Sequence, residues 1–374
     1  MKRILINTLG IQDSGGITVL KKALDDCISD NKNQYIIVCN DNKNMNLLRT
    51  KYDKFKFIVV PTKGFLYRLY YENIAFKSII KENKIDLIYN FSGTSQIFIK
   101  VPQLIKIHNL LFYSKKLDQV YKNNGNFKLW LKQIYLKRLI FKYMASNSKY
   151  LEIQSAHVKE YMSDFIDIKN KTFFIKSDID VSERNFIGPK KYDFIKNIKF
   201  LYIVGPHFEY THKNFQDFTN MMIGLQKQNI DFEINITLTK EQLSNSTLWN
   251  NKLNNNTNFL GYICKDEMSQ YFSNNTILIS TSIIETLGLH VIEAIQNGII
   301  PIVPSEKYSN SVYSDNILTY DLFDIKSFLN LLLSIIGNKI DCPQYILQLQ
   351  KDLKNSEKNK YQNIVDILEK VKNV

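Results

Sequence analysis

The chain has 374 residues, 44% of them hydrophobic, and a formal net charge of +13; that length suits two domains with full cores rather than one. No run of about 18 apolar residues is present, so no membrane-spanning helix is expected, and four scattered cysteines with five histidines form no pair or cluster that would suggest a zinc site. The charge is uneven: residues 1–190 hold 32 Lys+Arg against 17 Asp+Glu, and residues 191–374 hold 17 against 19, so a basic surface belongs to the first half and suits nucleic acid, an anionic membrane or a phosphorylated substrate.

In chain order, the start MKRILINTLGI reaches Asp13 before any small-residue cleavage site. It reads as a buried first strand over 3–9 rather than a signal peptide, which predicts a cytoplasmic protein. A loop with Gly10, Gly15 and Gly16 follows, then an apolar helix over 17–28, and the glycines suggest close approach to a phosphate or sugar. Gly10 and Gly15 have the outer spacing of a Walker A loop, but Gly16-Ile17 stands where Lys-Ser/Thr is needed, and no G-x-G-x-x-G follows the strand. Strands over 35–38, 57–60 and 85–89, with a helix over 66–81, alternate as in a doubly wound parallel sheet. The next strand, 103–107, ends at His108-Asn109, and ligands bind at the carboxyl ends of strands in such sheets.

Residues 127–143, FKLWLKQIYLKRLIFKY, have a helical period, with Leu129, Leu136, Leu139 and Tyr143 along one stripe and Lys128, Trp130, Lys132, Lys137, Arg138 and Lys142 among them. Such a helix either lies on an anionic membrane or an acceptor, or packs on the core with a solvated charged face. Residues 145–160 read as the last turn and helix of a first domain, and 172–176 as its final strand. Asp178 and Asp180 form an Asp-x-Asp that invites a metal-binding reading. A second domain begins near 190, with strands over 199–204, 231–238, 277–279, 299–303 and 317–320. Its helices are expected over 215–226, 266–274, 325–336 and 345–353, with a charged last helix over 356–372.

The stretch 277–305, ILISTSIIETLGLHVIEAIQNGIIPIVPS, carries the clearest chemistry. It reads as strand, loop, helix over 288–296 and strand, a parallel βαβ unit whose helix start presents unpaired amides and positive dipole to an anion. Thr286, Gly288 and Leu289 would form that cradle. Glu285 and Glu293 can accept hydrogen bonds from hydroxyls, so a nucleotide sugar, with phosphates between two polyols, satisfies every part. The plain alternative is two solvated charges at the ends of an ordinary crossover helix.

Glu285-Thr-Leu-Gly-Leu, Glu293-Ala, Gly298 and Pro301 resemble the E-x7-E signature of retaining glycosyltransferases of family 4. The resemblance implies an α/β chain of GT-B fold: two facing Rossmann-like domains, 1–185 and 190–352, with a cleft between them and a helix in 356–374 crossing back to the first. It implies that the Gly15-Gly16 amides face the donor's phosphate and sugar, that His108 faces the donor hexose, and that Glu285 holds the hexose and Glu293 the ribose. Lys213 and Asn214 match the family's Lys-Asn at the diphosphate, whereas Pro206 stands where an arginine is expected, so one clamp charge is lost. The Asp178–Asp180 segment resembles the family's interdomain turn, and the metal reading is rejected.

The implied activity is hexose transfer from a nucleotide diphosphate sugar, as co-substrate, to a hydroxyl of a surface glycan such as O-antigen or capsule, on a lipid carrier at the membrane's inner face. No metal, other cofactor or nucleic-acid partner is expected, and no residue stands out as a general base. The rivals are a GT-B epimerase, an inverting transferase, and a non-catalytic partner subunit of a transferase.

Overall fold

Runs rich in Ile, Leu, Val and Phe, buried on both faces, form two all-parallel sheets. The computed structural model describes residues 1–11, 14–61, 64–194 and 197–372. The chain divides into two compact units: Met1–Tyr113, Phe127–Ile179 and Lys358–Val374 make the first, Ser114–Asn126 and Asp180–Glu357 the second.

The first unit holds β1 (Arg3–Asn7), β2 (Gln34–Asn40), β3 (Lys56–Val60), β4 (Leu87–Asn90), β5 (Gln103–Lys106), β6 (Tyr150–Ile153) and β7 (Thr172–Ile175), in the order β3-β2-β1-β4-β5-β6-β7. Alternate side chains of β1 enter different layers, as a period of two requires. Ile4 and Ile6 pack with Leu20 and Leu24 of the helix Ser14–Ile28 and with Ile364, Ile367 and Leu368 of the helix Ile364–Lys370. Leu5 packs with Phe76 and Ile79 of the helix Phe76–Asn83. Helices thus cover both faces, which is why the strands read as continuous apolar runs.

The second unit holds β8 (Ile198–Tyr202), β9 (Phe232–Ile236), β10 (Thr257–Phe259), β11 (Thr276–Ile279), β12 (Ile300–Pro304) and β13 (Thr319–Tyr320), in the order β10-β9-β8-β11-β12-β13. In each unit the strand order reverses beside the first strand, between β1 and β4 and between β8 and β11. These are the switch points at which open α/β sheets bind ligands.

Several expectations change. The turn and helix expected over 145–160 contain β6 before the helix Ala156–Ser163. Glu152 hid that strand, because a carboxylate in a four-residue run reads as surface; it is buried and paired with Lys106 of β5 at 2.5 Å. The single helix expected over 356–372 is two. Cys342–Lys358 ends, Tyr361 bridges to Lys176 beyond β7, and Ile364–Lys370 restarts with Asn363 accepting from the Val365 amide. The helix expected over 266–274 is a short α-turn, Lys265–Met268, followed by a 3-10 turn, Ser269–Tyr271. The helices over 66–81 and 127–143 are each interrupted by one π-helical turn, Tyr71–Ala75 and Leu131–Tyr135.

The first domain is also not continuous. The helix Lys115–Asn123 buries Leu117, Val120 and Tyr121, and Tyr121 hydrogen-bonds Thr211, so the segment Ser114–Asn126 belongs to the second unit. Among the described residues no helix is long and apolar enough to cross a membrane.

Candidate functional site

In the second unit the loop after β11 leads into the helix Leu289–Gln296. Buried tyrosines hold the loop from beneath. Tyr202 Oη lies 2.7 Å from Thr281 Oγ1, Tyr308 donates to the Ser282 carbonyl at 2.6 Å, and Tyr320 donates to the Ser280 carbonyl at 3.3 Å. Gly288 then takes a left-handed conformation at φ 58 and starts the helix, and a Cβ there would lie 2.0 Å from Tyr313 Oη. Glycine is therefore required twice, by backbone and by space. The Tyr313 hydroxyl is buried without a hydrogen-bond partner among the described residues.

The loop after β8 is stitched to this one. The Ile283 amide donates to the His212 carbonyl at 2.8 Å, and Thr281 Oγ1 donates to the Lys213 carbonyl at 2.7 Å. Lys213 Nζ in turn donates to Glu285 Oε1 at 2.7 Å. Burial alone would raise the Glu285 carboxyl, but Lys213 and then His290 outweigh it and lower its pKa to about 2. Burial, with Lys213 adding, lowers His212 to about 4; burial likewise lowers His290 to about 4 although Glu285 opposes it. Both imidazoles are neutral near pH 7 and offer hydrogen bonds rather than charge. His290 Nε2 lies 3.2 Å from Ser280 Oγ.

Lys213, Glu285, Thr286, Gly288 and Leu289 are thus gathered at the β8/β11 switch point. Glu293 lies farther along the same helix and is half-buried. The Asn214 side chain donates to Asp217 at 2.7 Å from a left-handed backbone at φ 50 and so fastens the start of the helix Phe215–Lys227. Pro206 is exposed. Sequence reasoning missed His290 and Tyr313. A histidine five residues beyond Glu285 was a usable signal for the first, whereas nothing local marks the second.

In the first unit Gly15 and Gly16 are the second and third residues of the helix Ser14–Ile28; among the described residues a Cβ on Gly15 would meet nothing within 4 Å, whereas one on Gly16 would lie 3.2 Å from the Ile11 side chain. Gln12 and Asp13 of the same loop lie outside the described residues. His108 belongs to a different part of the first unit's carboxyl edge, at the end of β5. It lines a pocket of about 190 Å³ with Gly10, Arg68, Ser92, Asn109 and Lys137. Burial, then Lys106 and Arg68, push its pKa down to about 4.

Beneath this pocket Lys106 is buried and bonds Glu152 at 2.5 Å and Asp178 at 2.7 Å, while Lys176, also buried, lies 3.3 Å from Asp178. Asp178 is consumed by two lysines, and no group of metal-ligating side chains occurs among the described residues.

The apolar stripe of the basic helix does not pack on the core. Its buried positions are Ile134, Arg138, Met144 and Ala145, while Leu136, Leu139 and Tyr143 are half or more exposed. Arg138 leaves the expected patch, since its Nε donates to the Phe112 carbonyl at 2.7 Å and its guanidinium lies over the Phe165 ring. Trp130 is half-buried against Phe127 and Tyr135. Lys128, Lys132, Lys137 and Lys142 are exposed, so an apolar surface fringed by cations faces outward.

Residues 196–346, which contain the whole β8/β11 cluster, match the family described as Glycosyl transferases group 1. No curated protein sequence matches the chain. Among solved structures, sucrose-phosphate synthase from Thermosynechococcus elongatus is similar at 13% identity, covering 99% of this chain and 97% of that one, with a TM-score of 0.65. HepE from Anabaena, in complex with UDP and glucose, aligns at 13% identity over 99% of this chain and 100% of that one, TM-score 0.64. The lipopolysaccharide outer core galactosyltransferase WaaB aligns at 17% identity over 96% and 98%, TM-score 0.63. At such identities the likeness shows the fold, two Rossmann-like domains as in GT-B proteins. With the family match in the second unit, it supports a glycosyltransferase.

Proposed function

We propose that the protein transfers a hexose from a nucleoside diphosphate sugar to an acceptor hydroxyl, with retention of anomeric configuration and without a metal. The observation that carries this reading is the Lys213–Glu285 pair at the start of the helix Leu289–Gln296, at a switch point inside the matched segment. A cation and helix amides there stabilise charge growing on a departing diphosphate. Glu285, kept ionised by Lys213, accepts from sugar hydroxyls, and Glu293 accepts from the ribose. His108, neutral, serves a hexose hydroxyl, and the Gly15 and Gly16 amides face the donor's phosphate. The leaving phosphate takes the acceptor's proton, since no general base is assigned.

The acceptor is a glycan on a lipid carrier. The outward stripe Leu136, Leu139 and Tyr143 among exposed lysines supports docking on an anionic membrane, each lysine near such a surface contributing about 1 kcal/mol.

The test is a thermal-shift screen against UDP-, GDP- and deoxythymidine-diphosphate sugars, followed by NMR of the product formed with the stabilising donor. Retention, and loss of turnover in Glu293→Ala, are expected. An inverted product or an epimerised donor assigns the fold to one of the other GT-B chemistries. If no nucleotide sugar stabilises the chain, it acts as a non-catalytic partner of a transferase.

A further inference from the structure

Arg68 plays no part in the proposed donor chemistry, and its setting is specific. Its side chain is 13% exposed, and Nε bonds Glu72 at 3.0 Å. Nη2 donates to the Ser92 carbonyl at 3.1 Å and to Thr94 Oγ1 at 2.7 Å. Glu72 is fully buried and also accepts from Asn7 Nδ2 at 2.7 Å and Thr94 Oγ1 at 2.9 Å. Three of the five guanidinium donors are thereby committed and the plane is locked. Nη1 has no hydrogen-bond partner among the described residues, and it lies where a Cβ on Gly10 would be, 2.1 Å away. Gly10 therefore leaves room for the cation to reach the pocket.

That pocket, about 190 Å³, lies beyond the carboxyl ends of β1, β4 and β5. Arg68 and Lys137 bring two cations to its lining, Asn109 brings a hydrogen-bonding amide, and no carboxylate lines it among the described residues, while His108 at its edge keeps the hexose role already proposed for it. Phe112 and Phe141 stack at 4.5 Å, with Phe65 6.1 Å from Phe141, giving an apolar wall. The volume is below the roughly 300 Å³ at which ordinary small-molecule sites begin, so it suits one charged sugar-sized group and not a whole nucleotide sugar.

We propose that this pocket binds an oxyanion, phosphate or carboxylate, carried by the acceptor sugar, with Arg68 Nη1 and Lys137 as the cations and the phenylalanine wall against the sugar's apolar face. The proposal rests on the glycosyltransferase reading for the word acceptor. A pre-oriented guanidinium suits either oxyanion.

The experiment is calorimetric titration of the full chain with glucose, glucose 6-phosphate and glucuronate, each with and without saturating UDP. At least one anionic sugar is expected to bind tenfold or more tightly than glucose, and which one does so identifies the source as a phosphate or an acid. Arg68→Gln and Lys137→Gln should each weaken that binding at least fivefold and leave UDP affinity unchanged. Lys137 is exposed, so its variant keeps the test valid if the loss of Arg68 disturbs Glu72. Equal binding of all three sugars, no binding of any, or displacement of the anionic sugar by UDP overturns the proposal. UDP binding is read separately: its absence sinks the donor reading, whereas its presence without anion binding sinks this proposal alone.

Discussion

Lys106, Glu152, Lys176 and Asp178 put four charges inside the first unit. Burial alone would raise the Asp178 carboxyl, but Lys106 and Lys176 outweigh it and hold it well below the usual carboxylate range. Such a cluster tolerates removal of one member poorly, because the partners are left buried and uncompensated. Lys106→Met is expected to cost about 3–5 kcal/mol in urea unfolding, and a loss under 1 kcal/mol would show that the carboxylates find other partners. Lys213 is the functional counterpart. Removing it in Lys213→Met takes away the chief influence that keeps Glu285 ionised, so the Glu285 pKa should rise from about 2, and UDP affinity measured by calorimetry should fall at least tenfold. Lys213→Arg should restore part of that affinity. Neither cluster could be read whole from local sequence, since Lys106 meets partners 46 and 72 positions away and Lys213 a partner 72 away.

At the scale of elements, the helix Leu289–Gln296 was legible because its stop residues, its apolar positions and the glycine before it agree. The reason for the glycine was not, because Tyr313 comes from another element. In Gly288→Ala the left-handed backbone costs about 1–2 kcal/mol, and the methyl also meets the Tyr313 hydroxyl. In Gly288→Ala with Tyr313→Phe the clash is relieved and the backbone cost remains, so urea unfolding should show the double variant more stable than Gly288→Ala alone. If the two substitutions add, the hydroxyl is not what the methyl meets. The helix from Phe127 to Ser146 shows the opposite limit. Its apolar period was visible, yet which stripe faces inward depended on Arg138 finding the Phe112 carbonyl. Leu136→Ser with Leu139→Ser should leave stability within about 0.5 kcal/mol per site and reduce co-sedimentation with anionic vesicles. Unchanged sedimentation would remove the membrane from the functional reading.

Across the whole molecule, acid should act in two stages. His108, His212 and His290 are pushed down to about 4, while in the unfolded chain histidines titrate near 6.5. The unfolded state therefore binds more protons, and stability falls as pH drops from about 6.5 toward 4. The carboxyls of Glu285 and Asp178 are depressed, so their contribution is present above about 4 and is lost below it. Thermal unfolding across pH 3–7.5 should show both losses, and a melting temperature that rises on acidification from 6.5 to 5 would contradict the histidine assignment. The end of the chain belongs to the first unit, where Ile364, Ile367 and Leu368 are fully buried with β1 and the helix Ser14–Ile28. Each such side chain contributes about 1.5–3 kcal/mol. Ending the chain at residue 358 should therefore raise amide exchange in β1 and β2 and leave β8 and β11 protected.

Periodicity and turn residues made the parallel α/β character and the βαβ unit around Glu285 and Glu293 legible, and the family resemblance implied the second Rossmann-like sheet and singled out Lys213. The periodic and turn signals are local: a strand buried on both faces must be apolar, and a helix start must follow a residue that can turn. Three features depended on the tertiary structure: β6 with its buried Glu152, the pairing of Lys213 with Glu285, and the Arg68 guanidinium in the space left by Gly10. Each joins side chains from distant segments, and burial of a charge becomes favourable only when its partner arrives from elsewhere in the chain.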